Sequence, residues 1–115
     1  MLKIKKMETI NYKWLFSNPD CIISLDGMSQ IVQTIHWRLN GTKDGFTAES
    51  YGAVSLPLPS NPEDYTPYEK LTEEWFISQV EDNIDIEAVK ANIEKQIDLL
   101  INPVMDSPAL PFINN

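Results

Sequence analysis

The stretch that most constrains this fold runs over residues 30–58. It reads as two strands, residues 31–39 and 46–56, joined by the turn-rich segment Asn40-Gly41-Thr42-Lys43-Asp44-Gly45. Successive side chains of a strand point to opposite faces. Ile31, Ile35, Trp37 and Leu39 therefore share one face, and Val32, Thr34, His36 and Arg38 share the other. In the second strand Phe46, Ala48, Ser50, Gly52, Val54 and Leu56 share a parity and are predicted to cover the same core.

Residues 9–16 alternate in the same way. Ile10, Tyr12, Trp14 and Phe16 take one face and Asn11, Lys13 and Leu15 the other, which predicts a further strand. Ser17-Asn18-Pro19-Asp20 signals a turn. Cys21-Ile22-Ile23-Ser24-Leu25 is a short apolar run, a candidate fourth strand, closed by the tight-turn pair Asp26-Gly27. Leu56-Pro57-Leu58-Pro59-Ser60-Asn61-Pro62 stops the sheet, because proline cannot donate to a ladder. A loop over residues 62–68 carries Tyr65 and Tyr68.

Two helices are expected next. Thr72 can cap the first, with Glu73 and Glu74 in the first turn, where carboxylates complement the helix dipole. Leu71 and Phe76 have the spacing of a hydrophobic staple, and Trp75, Phe76, Ile77 and Val80 form the apolar stripe. Thr66-Pro67-Tyr68-Glu69 offers an alternative, earlier start. Asp85 caps the second helix, Ile84 and Val89 staple it, and Ile86, Val89, Ile93, Ile97 and Leu100 recur at spacings of three and four. Lys90, Glu94, Lys95 and Asp98 face outward, and Asn102-Pro103 ends the helix. The fold class is α+β: a small antiparallel sheet of three strands, or four with the candidate, followed by two helices packed on one face, in the order β-β-β-α-α. A Trp37–Trp75 contact is the expected tie between sheet and helix. Residues 9–103 form a single domain, flanked by a flexible basic N-terminus (residues 1–8) and a proline-containing arm (residues 104–115).

Composition narrows the function. The formal charge is −8, and residues 63–115 hold twelve Asp/Glu against three Lys/Arg, while residues 1–62 are nearly balanced. Nucleic-acid binding needs clustered basic residues, and the single arginine is Arg38, so nucleic acid is not an expected partner. Cys21 stands alone, which rules out an intramolecular disulfide and a multi-cysteine metal site. No apolar run approaches the roughly 18–20 residues that span a membrane. The basic opening Met1-Leu2-Lys3-Ile4-Lys5-Lys6 lacks the apolar run of a signal peptide, so a cytoplasmic protein is expected, or a component of a particle assembled there.

No catalytic or cofactor motif stands out. His36, the only histidine, has no nucleophile or metal set among its sequence neighbours and is expected to pair across strands with Tyr51 or Glu49. The acidic residues Glu81, Asp82, Asp85 and Glu87 resemble a calcium loop in spacing, but lack its glycine; an interhelical turn capped by Asp85 explains them better. Gly52 suggests either a bulge or a ring lying over bare backbone. Cys21 reads as a small hydrophobe. The residues expected to meet a partner are Leu110, Pro111 and Phe112 in the arm, and Glu73, Glu74, Glu81 and Asp82 on the acidic helices.

The order of motifs carries a resemblance. Ile10-x-Tyr12-x-Trp14 is followed by Asp26-Gly27, then by Ile35-His36-Trp37-Arg38 and Tyr51-Gly52. Pro67-Tyr68-Glu69-x-Leu71-Thr72-Glu73-Glu74 and a helix running through Gln96-Ile97 to Asn102-Pro103 complete it. Over about residues 9–112 the chain resembles a family of small, functionally uncharacterised proteins encoded by tailed bacteriophages. The resemblance implies a phage origin and brings no assigned catalytic residues with it; no cofactor is expected, and the expected place is the virion or the host cytoplasm. The expectation is a non-enzymatic protein acting by protein–protein contacts, as a minor component of capsid surface, neck or tail. The alternative is an intracellular acidic regulator or inhibitor that binds a basic host or phage protein.

Overall fold

Two Asp-Gly pairs set the sheet. In the computed structural model, which describes residues 9–113, Asp26 and Gly27 have φ of 50° and 82°, and Asp44 and Gly45 have 53° and 81°. Positive φ at both central residues is the type I′ geometry, whose twist matches that of antiparallel strands. The first pair joins β2 (Asp20–Leu25) to β3 (Met28–Lys43), and the second joins β3 to β4 (Phe46–Ser55). The second turn is tighter than the sequence suggests. Asn40 to Lys43 belong to β3, because Asn40 to Thr42 are paired on both edges and Lys43 on one: Asn40 faces Lys13 on one side and Glu49 on the other. Ladder hydrogen bonds override the turn propensity of Asn-Gly.

β3 is the spine. Trp37 pairs with Phe16 of β1 (Asn11–Phe16) and with Gly52 of β4, while Thr34 pairs with Asp20 and with Ser55. A residue has two edges, so β1 and β2 lie in tandem along one edge of β3 and β4 lies along the other. The candidate fourth strand therefore forms, as β2. The tandem edge is interrupted at Ser17-Asn18-Pro19, where Pro19 has no N–H to give and the Ser17 N–H still donates to the His36 carbonyl at 3.2 Å.

The predicted core parity holds for Ile35, Trp37 and Leu39, but fails at the start of β3. Ile31 and Val32 are both buried, although Val32 is expected on the outer face. Register explains it: Asp20 pairs with Thr34 but Cys21 with Val32, so Gln33 is an extra residue, and Gln30 has φ of 53°. A bulge changes which face follows which. On β4, Ala48 and Val54 are buried as expected, whereas Phe46 beside the turn stays 38% exposed.

Both helices begin where the caps predict. The Thr72 hydroxyl accepts from the Trp75 N–H at 3.2 Å and opens α1 (Glu73–Glu81); the Asp85 carboxylate accepts from the Ala88 N–H at 3.1 Å and opens α2 (Ile86–Ile101). The earlier start does not form. Pro62–Asp64 and Tyr68–Lys70 are isolated 3-10 turns, and Leu71 has an extended backbone that separates them from α1. Ile93 and Ile97 carry the buried stripe of α2, but Leu100 is exposed and Ile101, four residues after Ile97, packs against the core instead. Replacing Thr72 or Asp85 by Ala is expected to cost about 1 kcal/mol each in urea unfolding. Asn at either position should retain most of that stability.

The core joins Val32, Ile35, Trp37, Leu39, Ala48 and Val54 of the sheet to Val80, Ile93 and Ile97 of the helices. The sheet is thus covered on one face, as the α+β class requires. The expected Trp37–Trp75 ring pair is not formed among the described residues; the two are linked only through other rings. Trp37 meets Trp14 edge-on at 5.8 Å, Trp14 stacks on Phe16 at 6.1 Å, Phe16 meets Phe76 at 5.6 Å, and Phe76 meets Trp75 at 5.1 Å. Residues 1–8, expected to be flexible, lie outside the described residues.

Candidate interaction surfaces

Beyond α2 the chain leaves the domain. The Asn102 N–H closes the helix on the Asp98 carbonyl at 2.7 Å. From there to Ile113 every residue is exposed, and among the described residues no hydrogen bond ties 104–113 to the domain. Leu110 is 56% exposed, Phe112 64% and Ile113 86%. Leu110, Pro111 and Phe112 thus sit together on a free arm.

The four acidic candidates do not form one patch. Glu73 and Glu74 stand in the first turn of α1, where the helix dipole stabilises them. Glu81 closes the same helix and Asp82 is its C-cap, at the end where the dipole disfavours negative charge, and no basic residue stands in that last turn. At 1.5 Å per residue the two pairs are roughly 12 Å apart along the axis, beyond a Debye length of about 8 Å. All four are exposed, and none is in a salt bridge among the described residues. The segment from Glu81 to Glu87 is the turn between helices, with Asp85 as cap, and among the described residues no cluster of His, Cys, Asp or Glu could hold a metal.

The uncovered sheet face holds His36, but not with the predicted partner. Its Nε2 lies 2.8 Å from Asp20 Oδ2, and Glu49 instead faces Arg38 at 3.6 Å. The tandem placement of β2 brings Asp20 across from β3, a neighbour that the hairpin alone does not suggest. A shallow groove of about 390 Å³ runs here between His36, Arg38, Tyr51, Leu15 and Ser17. His36 and Tyr51 share it, and Glu49 is not among its walls. Among the described residues neither the Ser17 nor the Tyr51 hydroxyl is hydrogen-bonded to His36. At Cys21 burial, and then the neighbouring Asp20 carboxylate, push the thiol pKa up, which disfavours the reactive thiolate.

A second groove, of about 340 Å³, lies where the early part of β3 faces α1 and the Leu56–Ser60 segment. Leu56, Pro57, Leu58, Tyr65, Leu71 and Trp75 supply its apolar and aromatic walls. The Tyr65 hydroxyl donates to the Ser29 carbonyl, which fixes the loop against the sheet. Sequence reading treats this stretch only as a sheet terminator. Its signal is the run Leu56-Pro57-Leu58-Pro59 followed by Tyr65, but a groove needs α1 and β3 as well.

Gly52 is explained by packing. A Cβ there would lie 2.9 Å from Cζ2 of Trp37, so the indole ring rests on bare backbone. No helix among the described residues is long and apolar enough to cross a membrane. Comparison with curated proteins gave no match, and comparison with solved structures gave none either. A family model does match, over residues 9–112: the chain belongs to the family described as Domain of unknown function (DUF7936).

Proposed function

We propose that this chain is a non-enzymatic bacteriophage protein that works through protein–protein contacts, as a minor component of the virion. The observation that carries the reading is the arm: residues 104–113 are exposed, and Leu110 and Phe112 offer apolar side chains to a neighbour. The order of motifs from Ile10 to Pro103, with its resemblance to proteins of tailed phages, supplies the setting.

Mass spectrometry of purified particles, set against the lysate of infected cells, tests this directly. Stoichiometric copies in particles are the expected result. A chain found only in the lysate overturns it. Deleting residues 104–115 is expected to abolish incorporation while leaving the stability of the domain within about 0.5 kcal/mol, since among the described residues the arm adds none to the buried core.

A second reading rests on the free carboxylates Glu73, Glu74, Glu81 and Asp82: an intracellular regulator that holds a basic protein. Salt separates the two. Binding through these carboxylates falls steeply between about 50 and 500 mM salt, and an apolar arm contact does not.

A further inference from the structure

We infer that the free edge of β4 pairs with the same edge of a second copy, extending the sheet across a two-fold axis at Tyr51. The inference is independent of the arm and goes beyond the virion reading. The Leu56 N–H donates to the Gln33 carbonyl at 2.7 Å, one step beyond the Thr34–Ser55 pair. Backbone groups alternate sides along a strand, so residues 46, 48, 50, 52 and 54 also turn theirs toward β3. Those of Thr47, Glu49, Tyr51, Ala53 and Ser55 turn away, and among the described residues β4 pairs with β3 alone. All of these outward residues are exposed. The opposite edge of the sheet is guarded: β1 and β2 are parted at Pro19, and the register shifts between Asp20 and Cys21. Proline, bulges and lysine are the devices that keep an exposed edge from pairing. β4 has none of them. Its register against β3 is unbroken from Phe46 to Ser55, and Glu49 is its only charge. Such an edge is a template for another strand.

Register selects the occupant. An antiparallel β4–β4 pair centred on Tyr51 sets Thr47 against Ser55 and Glu49 against Ala53, so each outward N–H and C=O finds a partner. Any shift from this register leaves outward groups unpaired at the strand ends. The same register brings Phe46, which is 38% exposed, against Leu56 of the second copy on the inner face. On the outer face Tyr51, 72% exposed, meets its own counterpart. The two large apolar side chains that β4 leaves in water are thereby both covered by cross-strand neighbours. Charge does not drive the contact, since each copy carries −8. It does not act at the edge either: Glu49 lies 3.6 Å from Arg38 of its own sheet and faces Ala53 rather than the other Glu49. An isologous pairing of this kind uses the same edge on both copies and closes at the dimer.

Sedimentation velocity of the full chain over a range of concentrations, with amide exchange on the same samples, tests the pairing. The wild type is expected to pass from monomer to dimer and no further. The amides of Thr47, Glu49, Tyr51, Ala53 and Ser55 are expected to slow as the dimer forms. Ala53→Glu sets a carboxylate against Glu49 twice across the axis and should weaken the dimer about tenfold. Ala53→Lys at the same exposed site should strengthen it, and a Glu49→Gln background should remove most of the difference between the two. Neither substitution touches the β3–β4 ladder or the core, so both variants should unfold in urea like the wild type. A wild type that stays monomeric throughout, a dimer in which those amides still exchange fast, or equal effects of Ala53→Glu and Ala53→Lys would each overturn the proposal. Protection of the same amides in a monomer would do so too, by giving the edge to a segment of the same chain. A dimer that never enters particles sinks the virion reading and spares the pairing. A monomer found in particles does the reverse.

Discussion

Trp37→Ala is expected to cost about 3–5 kcal/mol in urea unfolding, a large part of what a domain of this size has to spare. Trp37 lies mid-way along β3, between Phe16 on one edge and Gly52 on the other, and is 7% exposed. Its ring fills the space over Gly52 and meets Trp14 edge-on, so truncation empties the centre of the inner sheet face and cuts the aromatic relay to α1. Trp37→Phe should cost much less. The smaller ring lacks the Cζ2 and Nε1 atoms that rest on Gly52, but the substitution also removes an indole N–H that has no hydrogen-bond partner among the described residues, a burden of about 1–3 kcal/mol for a buried donor. Gly52→Ala probes the same contact from below, since its methyl would meet the ring at 2.9 Å. If Trp37→Ala costs less than about 1 kcal/mol, or if Gly52→Ala is neutral, the ring does not hold the sheet in this way.

This contact shows what was legible in the sequence. The parity of β3 places Trp37 on the core face, and a glycine inside a strand pattern suggests a ring above it. Only the register Trp37↔Gly52 says which ring. Local signals were reliable where the cause is local: Thr72 and Asp85 cap the helices because an oxygen three residues before an N–H can always reach it. They failed where a second strand decides. Asn40 and Gly41 carry strong turn propensity, yet pairing on both edges draws them into β3. The extra residue Gln33 and the positive φ of Gln30 leave no mark in composition, so Val32 fell on the wrong face. The hairpin visible in the chain offers His36 only β4 neighbours, while Asp20 arrives on the other edge through a lane assembled from β1 and β2.

The candidate surfaces divide along the same line. The arm was legible because Pro108 and Pro111 forbid regular structure around Leu110 and Phe112. The acidic residues were legible as charges but not as positions: Glu73 and Glu74 are engaged with the dipole of α1, and Glu81 and Asp82 oppose it at the far end. The groove was not legible, since β3, residues 56–66 and α1 meet there only after folding. Tyr12 is a similar case, with Lys90 of α2 placed 5.0 Å over its ring. Its phenol pKa is raised by burial first and by Glu94 and Glu87 next, all of them set by where α2 crosses β1.

That crossing point supplies the second large effect. Gly41→Ala is expected to cost about 1–3 kcal/mol, and Gly41→Val more. The φ of Gly41 is not positive, so the glycine is needed for space rather than for backbone conformation. A Cβ at this position would lie 2.6 Å from Ile93 Cγ2, 3.0 Å from Ile10 Cγ2 and 3.2 Å from Tyr12 Cε1. Ile93 is fully buried, and a β-branched side chain in a helix has essentially one χ1 well, so it cannot swing aside. The helix must lift instead, and with it the packing of Ile97 on the sheet. Ile93→Leu removes the branch that Gly41 accommodates while keeping the volume. In that background Gly41→Ala should be milder, with a coupling of about 0.5–3 kcal/mol in a double-mutant cycle. Amide exchange should meanwhile rise along α2 before it rises in the β3–β4 hairpin, because the closest contact of the new methyl is with α2. Strict additivity of the two substitutions would mean that the close approach of α2 to β3 is not what Gly41 provides.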